Sequence, residues 1–137
     1  MAGISTKSIY GLAAMFELAQ NYGKSHMQIK EIATNLGIPQ NYLEQLLATI
    51  RKAGFVESIR GAGGGYKLSR EPSEICCCDI IEALEGNLWQ IDNPLKNEAL
   101  KLFWEESGDK TREVYKISLK ELCGYTQKVA SNLVYYI

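Results

Sequence analysis

The chain of 137 residues lacks features that most enzymes, membrane proteins and secreted proteins carry. His26 is its single histidine. Apart from His26, the sequence offers no histidine for a Ser-His-Asp or Cys-His-Asn catalytic triad. No apolar run approaches the roughly 18 residues that a membrane-spanning helix needs. The amino terminus lacks the charged segment followed by an apolar segment that a secretory signal has, so we expect a cytoplasmic protein. Because a catalytic triad is missing as well, we expect that the protein is not an enzyme.

The chain also lacks a strong net charge, but its charges are unevenly distributed. The net charge is −1 over the whole sequence. Residues 1–70 carry eight Lys and Arg against four Asp and Glu, a net of +4, whereas residues 71–137 carry seven against twelve, a net of −5. The first half is therefore suited to a polyanionic partner and the second half to protein contacts.

Residues 39–53 show the apolar period of an amphipathic helix. Pro39 suits the first helical turn, and Gly54 follows two cations where such a helix would end. The side chains that fall on its other sides are Gln40, Asn41, Glu44, Gln45, Thr49, Arg51 and Lys52. Amide and carboxylate groups of this kind can bind base edges in the major groove of DNA.

A glycine-rich hairpin follows this helix. Residues 55–59 and 66–68 are rich in β-branched and aromatic residues, and Arg60-Gly61-Ala62-Gly63-Gly64-Gly65 separates them. The run does not fit a phosphate-binding P-loop, because no Gly-Lys-Ser/Thr follows it and a strand continues after it. A helix and hairpin in this order predict a recognition helix and a wing, in which Arg60 and Lys67 can reach phosphate or the minor groove. An ordinary core element remains the alternative.

Two shorter helices precede the predicted recognition helix. Ser5 or Thr6 can cap a helix that continues to about Tyr22, and a second helix runs from Ile29 to about Asn35. The glycine-containing turn after the second helix is typical of a helix-turn-helix. The opening turn of the first helix suits a DNA phosphate through Ser5, Thr6, Lys7 and Tyr10.

The second half of the chain predicts further helices. The first begins at Cys78 or Asp79 and ends at Leu84. After a loop, an apolar stripe from Leu95 to Leu119 predicts a long helix, which Gly108 could break or kink. Ser118 and Glu121 form a capping box that predicts a short helix over 119–123, and residues 132–137 form an apolar, aromatic tail.

Several of these stretches together resemble the Rrf2 family of bacterial winged-helix transcription regulators. They are Ser5-Thr6-Lys7, Tyr10-Gly11-Leu12, Ile29-Lys30-Glu31-Ile32-Ala33, Tyr42-Leu43-Glu44-Gln45-Leu46, Arg51-Lys52-Ala53-Gly54, the run from Arg60 to Tyr66, and Asp79-Ile80-Ile81-Glu82-Ala83-Leu84-Glu85-Gly86. The resemblance implies a mainly α fold with a small β-hairpin. Residues 1–86 would form a winged helix-turn-helix domain, and residues 87–137 a long dimerisation helix with a C-terminal tail.

The resemblance also implies a partner and a set of contacts. The partner would be double-stranded DNA with a palindromic operator, bound by a homodimer. Tyr42, Glu44 and Gln45 would face the major groove, Arg60 would lie at the wing tip beside Gly61 and Gly63, and Lys7 and Tyr10 would steady the DNA backbone.

The cysteines bear on what such a regulator senses. Many members of the family carry an iron–sulfur cluster on three cysteines in the loop before the dimerisation helix, but residues 87–96 contain none. The cysteines of this chain are Cys76, Cys77, Cys78 and Cys123, and three consecutive cysteines cannot direct three sulfurs at one cluster without severe distortion. We therefore expect no bound metal and no cofactor, with a thiol-redox or iron–sulfur sensor of the same family as the alternative.

A redox role for the triplet is a separate hypothesis. The triplet precedes a helix whose dipole lowers thiol pKa, so Cys76 or Cys78 is a candidate for an oxidisable thiolate. Cys77 is better explained as a small core residue, because Ile80 and Ile81 follow it at helical spacing. For Cys76 and Cys78 the structural and the redox interpretations both stay open.

Within the family, the chain resembles the branch that represses cysteine-metabolism genes. The resemblance rests on the cysteine-free loop with Asp92-Asn93-Pro94 and on the Tyr-Ile carboxyl terminus. It implies a repressor of sulfur-uptake and cysteine-synthesis genes whose protein partner is cysteine synthase. Tyr135, Tyr136 and Ile137 are the candidate partner-binding residues, since a terminal carboxylate can enter an amino-acid-binding site. The alternative is a tail that packs on the other subunit of the dimer.

Overall fold

A computed structural model describes residues 3–135 of the chain, with side chains described for residues 3–132. The helices are α1 (Thr6–Gln20), α2 (Ile29–Leu36), α3 (Gln40–Lys52), α4 (Cys77–Glu85), α5 (Glu98–Val114), α6 (Leu119–Cys123) and α7 (Tyr125–Tyr135). The strands are β1 (Val56–Ile59) and β2 (Gly65–Leu68), and a short 3-10 helix spans Pro72–Glu74. The fold is thus mainly helical with one hairpin, which confirms the predicted fold class.

The first three helices begin and end where their capping residues predict. The Ser5 hydroxyl accepts a hydrogen bond from the Lys7 N–H and caps α1. Gly37 ends α2 in the left-handed conformation at φ 68°, which glycine adopts without steric cost. Pro39 precedes α3, whose last turn carries two cations. Their observed bounds lie within two residues of the predicted ones.

The hairpin is antiparallel, and a third backbone segment lies against it. Val56 pairs with Leu68 at one end and Ile59 with Gly65 at the other. The Met27 N–H donates to the Tyr66 carbonyl at 2.9 Å, and the Tyr66 N–H donates back to the Met27 carbonyl at 2.8 Å. A Cβ atom at Gly65 would overlap the Met27 carbonyl, so this close approach requires a glycine.

One hydrophobic core joins the helices to the hairpin. The predicted apolar stripe of α3 is confirmed as buried, and Met15 of α1, Ile80 of α4 and Leu119 of α6 are fully buried in the same cluster. The buried stripe consists of Leu43, Leu46, Leu47 and Ile50. Burying each such side chain contributes on the order of 1.5 to 3 kcal/mol, so packing on this core fixes how α3 is oriented.

The long helix α5 runs without a break through Gly108, a point that the sequence leaves open. Gly108 is the buried residue of α5, and a Cβ atom there would overlap the carbonyl oxygen of Trp89. The glycine therefore serves close packing of the preceding loop against the helix. The helix is also shorter than the predicted stripe, because Asn97 caps its start and Leu119 belongs to the next helix.

The chain returns to the core after α5. The Ser118 hydroxyl accepts from the Glu121 N–H, which confirms the predicted cap of α6. The Cys77 N–H donates to Ile117 at 2.7 Å, and the Leu119 N–H donates to Ile75 at 2.9 Å. Residues from both sides of position 86 thus share one core, and the proposed division into two domains stays a prediction.

The final helix α7 includes part of the predicted tail. It begins at Tyr125, earlier than the tail predicted over 132–137. Tyr136 and Ile137 lie outside the described residues, and the side chain of Tyr135 is not among those described. Among residues 3–135, none of the helices has both the length and the apolar character needed to cross a membrane.

Candidate DNA-binding surface

The outer face of α3 carries the polar side chains that the sequence assigns to DNA. Gln40, Asn41, Glu44 and Gln45 are all exposed, whereas the opposite stripe of the helix is buried. Because the buried stripe anchors the helix, these side chains project from a rigid element. Their amide and carboxylate groups can pair with base edges in the major groove.

Tyr42 and Tyr10 bring α1 and α3 together at the edge of this surface. Their rings meet edge to face, with centroids 5.8 Å apart and planes at 86°. Tyr42 is half-buried and packs against the core, while Tyr10 is exposed. The aromatic contact fixes both rings while the Tyr10 edge remains open to a DNA backbone.

Arg51 lies at the end of α3 and contacts the hairpin. It is exposed, and its Nη1 donates to the Ser58 hydroxyl at 3.2 Å. The guanidinium has other N–H groups, so the same side chain can hold β1 and still bind a phosphate.

The wing carries an exposed cation immediately before two glycines in the left-handed region. Arg60 is exposed, and Gly61 and Gly63 have φ values of 103° and 81°. Lys67 lies 3.6 Å from the Glu57 carboxylate, and both side chains are more than half exposed. A surface ion pair of this kind is worth little, so Lys67 can exchange Glu57 for a phosphate.

His26 connects the loop before α2 to the wing tip, a contact that sequence reasoning missed. Its Nε2 lies within hydrogen-bonding distance of the Gly63 carbonyl, 37 residues further along the chain. The neighbouring Met27 pairs with Tyr66, so the loop and the wing are joined at two places. The sequence gives no indication of this contact, and His26 is distinguished there only as the single histidine.

The amino end of α1 differs from its predicted use. The Ser5 hydroxyl and N–H and the Ser8 hydroxyl all donate to the carboxylate of Glu85, at the end of α4. Burial alone would raise the pKa of Glu85, but these hydrogen bonds and the nearby Lys7 charge lower it. Ser5 is therefore engaged by a carboxylate and is not a free phosphate ligand, whereas Thr6 and Lys7 are exposed.

The cysteine triplet divides between two apolar clusters. Cys77 is buried in the main core, which the sequence favours, while Cys78 is buried with Ile81 and Trp89 in a second cluster that Cys76 flanks. Burial raises the pKa of Cys77 and of Cys78 to about 12 in each case. At Cys78 burial thus outweighs any lowering of the pKa by the helix dipole, which favours the structural interpretation of that residue.

The recognition helix, its helix-turn-helix partner and the glycine-tipped hairpin define a winged helix-turn-helix DNA-binding protein. Residues 4–125 match the family model described as Rrf2, Iron-dependent Transcriptional regulator. The chain belongs to the Rrf2 family of transcriptional regulators, and the resemblance seen in the sequence is confirmed.

Individual relatives extend the comparison to nearly the whole chain. The HTH-type transcriptional regulator CymR of Bacillus subtilis (strain 168) is 39% identical over 140 residues, which cover 98% of this chain and 99% of CymR. The solved structure of CymR (YrzC), the global cysteine regulator of B. subtilis, aligns with a TM-score of 0.82 at 40% identity, covering 91% of this chain and 98% of that one. The structure of T. potens IscR aligns with a TM-score of 0.77 at 40% identity, covering 93% and 90%.

The cysteines do not fit an iron–sulfur cluster. Such a cluster needs four ligands around one centre. Cys77 and Cys123 pack with the main core, whereas Cys76 and Cys78 pack with the second cluster, so the four sulfurs face two different interiors. No step of DNA recognition is therefore assigned to a cluster in this chain.

Proposed function

We propose that this protein is a cytoplasmic homodimeric repressor that binds a palindromic operator and controls genes of cysteine and sulfur metabolism. The observation that carries the proposal is the recognition helix, whose four exposed polar side chains stand beside the arginine-bearing wing. The similarity to CymR, a cysteine regulator in B. subtilis, supports the choice of regulated genes.

DNA contacts divide by side-chain chemistry. Gln40, Asn41 and Gln45 supply amides for base edges, and Lys7 and Arg60 supply cations for phosphates. The net charge of +4 over residues 1–70 supports placing the recognition helix and the wing against DNA, because both lie in this positively charged half of the chain. In this proposal the base contacts give sequence preference and the phosphate contacts give most of the affinity.

Dimerisation is proposed to occur through α5. Leu100, Phe103 and Val114 are 41%, 55% and 70% exposed and recur along one side of this helix. Between them, the Ser107 hydroxyl donates to the Phe103 carbonyl and the Thr111 hydroxyl to the Ser107 carbonyl, so both hydroxyls are satisfied within the helix. A stripe of this kind can be buried against a second copy of itself if the ammonium of Lys110, seven residues after Phe103 on the same side, extends to solvent at the edge of the interface.

Two-fold symmetry then fixes the form of the operator. Two recognition helices related by the dimer axis would enter major grooves about one helical turn, or roughly 34 Å, apart. The half-sites would be inverted copies of one another, as the symmetry of the protein requires.

Selection from genomic DNA tests this proposal. Purified protein is mixed with fragmented genomic DNA at moderate ionic strength, and the bound fragments are sequenced against the input. We expect enrichment of fragments that contain an inverted repeat upstream of cysteine- and sulfur-metabolism genes. Enrichment of a repeat upstream of unrelated genes would overturn the assigned regulon, and equal recovery of all fragments would overturn the DNA-binding proposal itself.

The proposed protein partner is cysteine synthase, recognised through the C-terminal residues. The supporting feature is the sequence Tyr135-Tyr136-Ile137 with its free carboxylate. Deleting Tyr136 and Ile137 should abolish co-purification with cysteine synthase and leave operator binding unchanged. A truncated chain that still retains the enzyme would overturn this part of the proposal.

A further inference from the structure

Two cysteines and a carboxylate converge at the amino end of α4, outside the DNA-binding surface. One ligand atom each from Cys76, Cys78 and Asp79 lies within 4.8 Å of the other two. Both cysteines are free thiols. The Cys76 sulfur lies 3.9 Å from the Tyr115 carbonyl, and the Cys78 sulfur lies 3.8 Å from the Asp79 Oδ1, so neither thiol makes more than a weak hydrogen bond.

We propose that Cys76, Cys78 and Asp79 form a site for a single thiophilic divalent metal ion of the Zn²⁺ class. Two thiolates and a carboxylate are ligands that Zn²⁺ takes in proteins. Zinc–sulfur bonds of about 2.3 Å at a tetrahedral angle place two sulfurs roughly 3.8 Å apart, so the observed spacing needs only small side-chain rotations.

The surroundings of the three side chains suit an ion. Arg112 of α5 donates at 3.1 Å to Asp79 Oδ1, the oxygen that also lies 3.8 Å from the Cys78 sulfur, so the arginine holds the carboxylate next to the thiol. Two thiolates, one carboxylate and one guanidinium sum to a charge of −2, which a divalent ion neutralises. Binding releases the two thiol protons to solvent as two metal–sulfur bonds form, with no change in oxidation state.

Access to the site is one-sided. The Cys78 side chain is buried beneath Ile81 and Trp89, whereas Cys76 and Asp79 are half-buried and line the path to solvent. The coordination position left open by three protein ligands therefore faces outward, where water can occupy it. This arrangement is distinct from the cysteine-bearing loop of cluster-containing relatives, which in this chain has no sulfur.

The proposed metal site lies where the start of α4 contacts α5 and the segment that follows it. Cys76 pairs with Ser118 in a backbone bridge, and the neighbouring Cys77 N–H donates to Ile117, so this segment of α4 is tied to the chain that follows α5. Through Asp79 and Arg112 the same segment also contacts α5 itself. An ion held by residues 76–79 would brace this segment, and through Asp79 it would act on the Arg112 contact with the helix proposed for dimerisation.

Equilibrium metal binding tests the proposal on the full-length protein, kept reduced with a reductant that carries no thiol. Zn²⁺ is titrated against a chromophoric chelator, and Cd²⁺ is used separately because thiolate coordination gives an ultraviolet charge-transfer band. We expect one ion per chain and a thiolate–cadmium band for the wild type. C76S and C78S should each lower the Zn²⁺ affinity by about tenfold or more and remove most of the band. C123S serves as the control and should match the wild type.

Two outcomes would overturn the site. One is a wild-type protein that fails to compete with the chelator, and the other is a C76S protein that binds both metals as the wild type does. Since Cys78 is buried, C78S is checked by circular dichroism, and C76S at the half-buried position decides the result if C78S does not fold. Loss of binding in C123S as well would also count against the assignment, because Cys123 packs with the other cluster.

Discussion

The carboxylate of Glu85 accepts hydrogen bonds from both the backbone N–H of Ser5, at 2.6 Å, and the Ser5 hydroxyl, at 2.8 Å. The two residues are 80 positions apart, so this contact closes the winged-helix domain from its first helix to α4. A carboxylate at the amino end of α1 also interacts favourably with the helix dipole. Ser5, one of the four residues that the sequence assigns to a DNA phosphate, is thus bound to a carboxylate inside the protein.

Replacing Glu85 by Gln should destabilise the fold in a pH-dependent way. The folded state lowers the pKa of Glu85 from its ordinary value of 4.5, so its stabilisation is fully present above that value and is lost as pH falls through the folded-state pKa. At neutral pH we expect E85Q to cost about 1 kcal/mol, because a charge-assisted set of hydrogen bonds becomes neutral. Urea denaturation at a fixed protein concentration measures the free energy of unfolding.

The difference in unfolding free energy between the wild type and E85Q should shrink as pH falls below 4.5. E74Q, which changes an exposed carboxylate on the short 3-10 helix, is the matched control and should stay close to the wild type at every pH. A pH-independent difference for E85Q would show that its effect does not come from the carboxylate charge.

Replacing His26 by Ala should weaken DNA binding through the position of the wing. The side chain contacts the carbonyl of Gly63, three residues after Arg60 in the wing, and losing one hydrogen bond of about 1 kcal/mol corresponds to roughly a fivefold loss of affinity. His26→Gln keeps a donor and should recover part of the affinity. Fluorescence anisotropy with a labelled operator measures the dissociation constants, and equal values for H26A and the wild type would exclude a role for the contact.

Replacing Gly108 by Ala should destabilise the protein, although the same change usually stabilises a helix interior. Ala is favoured over Gly by about 1 kcal/mol in a helix, but here the new Cβ would overlap a backbone oxygen of Trp89, which cannot rotate away. Overpacking of this kind costs about 1 to 3 kcal/mol, so we expect a net loss. The thermal midpoint should fall, while D109A at the exposed neighbouring position should not lower it comparably.

Local patterns predicted most of the fold. The amphipathic period gave the position and buried side of α3, and the Ser118 cap gave the start of α6, because these signals act over a few residues. The sequence predicts an apolar tail over 132–137 and no helix over the span of α7, since apolar residues are sparse in its first turns. Most candidate DNA-binding residues are local to α3 and the wing, and the exposure of Gln40, Asn41, Glu44, Gln45 and Arg60 agrees with the predicted surface without testing their contacts with DNA.

Long-range contacts were not predictable in the same way. The pairing of Ser5 with Glu85, of His26 with Gly63 and of Gly108 with Trp89 each joins residues that are distant in sequence. From the sequence alone, a glycine such as Gly108 indicates a position of low helix propensity. Only the structure shows that the backbone of Trp89 packs against it and leaves no room for a side chain. The helical spacing favours a core position for Cys77, but it does not show that Cys78 is buried in a second cluster.

Replacing Arg60 by Ala should weaken operator binding and reduce its dependence on salt. The side chain is exposed at the wing, where it would neutralise one phosphate and release about one counterion. The slope of the logarithm of the binding constant against the logarithm of salt concentration should therefore fall in magnitude by about 1. Lys120→Ala, an exposed cation in the negatively charged half, is the control, and unchanged affinity for R60A at fixed salt would count against the wing assignment.

Replacing Phe103 by Asp should convert the proposed dimer into monomers. Phe103 is 55% exposed on α5 and stacks edge to face on Trp104 with centroids 4.9 Å apart, so it presents a fixed apolar surface. A buried, unpaired carboxylate at a self-complementary interface would occur twice per dimer, and each occurrence costs several kcal/mol. Sedimentation equilibrium should give twice the chain mass for the wild type and the chain mass for F103D.

Asp109 lies about 120° around the helix from Phe103 and provides a charge-changing control, because D109K alters α5 away from the apolar stripe. We expect D109K to remain dimeric. Operator affinity should fall with dimerisation in F103D, since a monomer reaches only one half-site, and a half-site probe should bind F103D and the wild type more nearly alike. A dimeric F103D protein with wild-type operator affinity would exclude this side of α5 from the interface and require another surface to join the subunits.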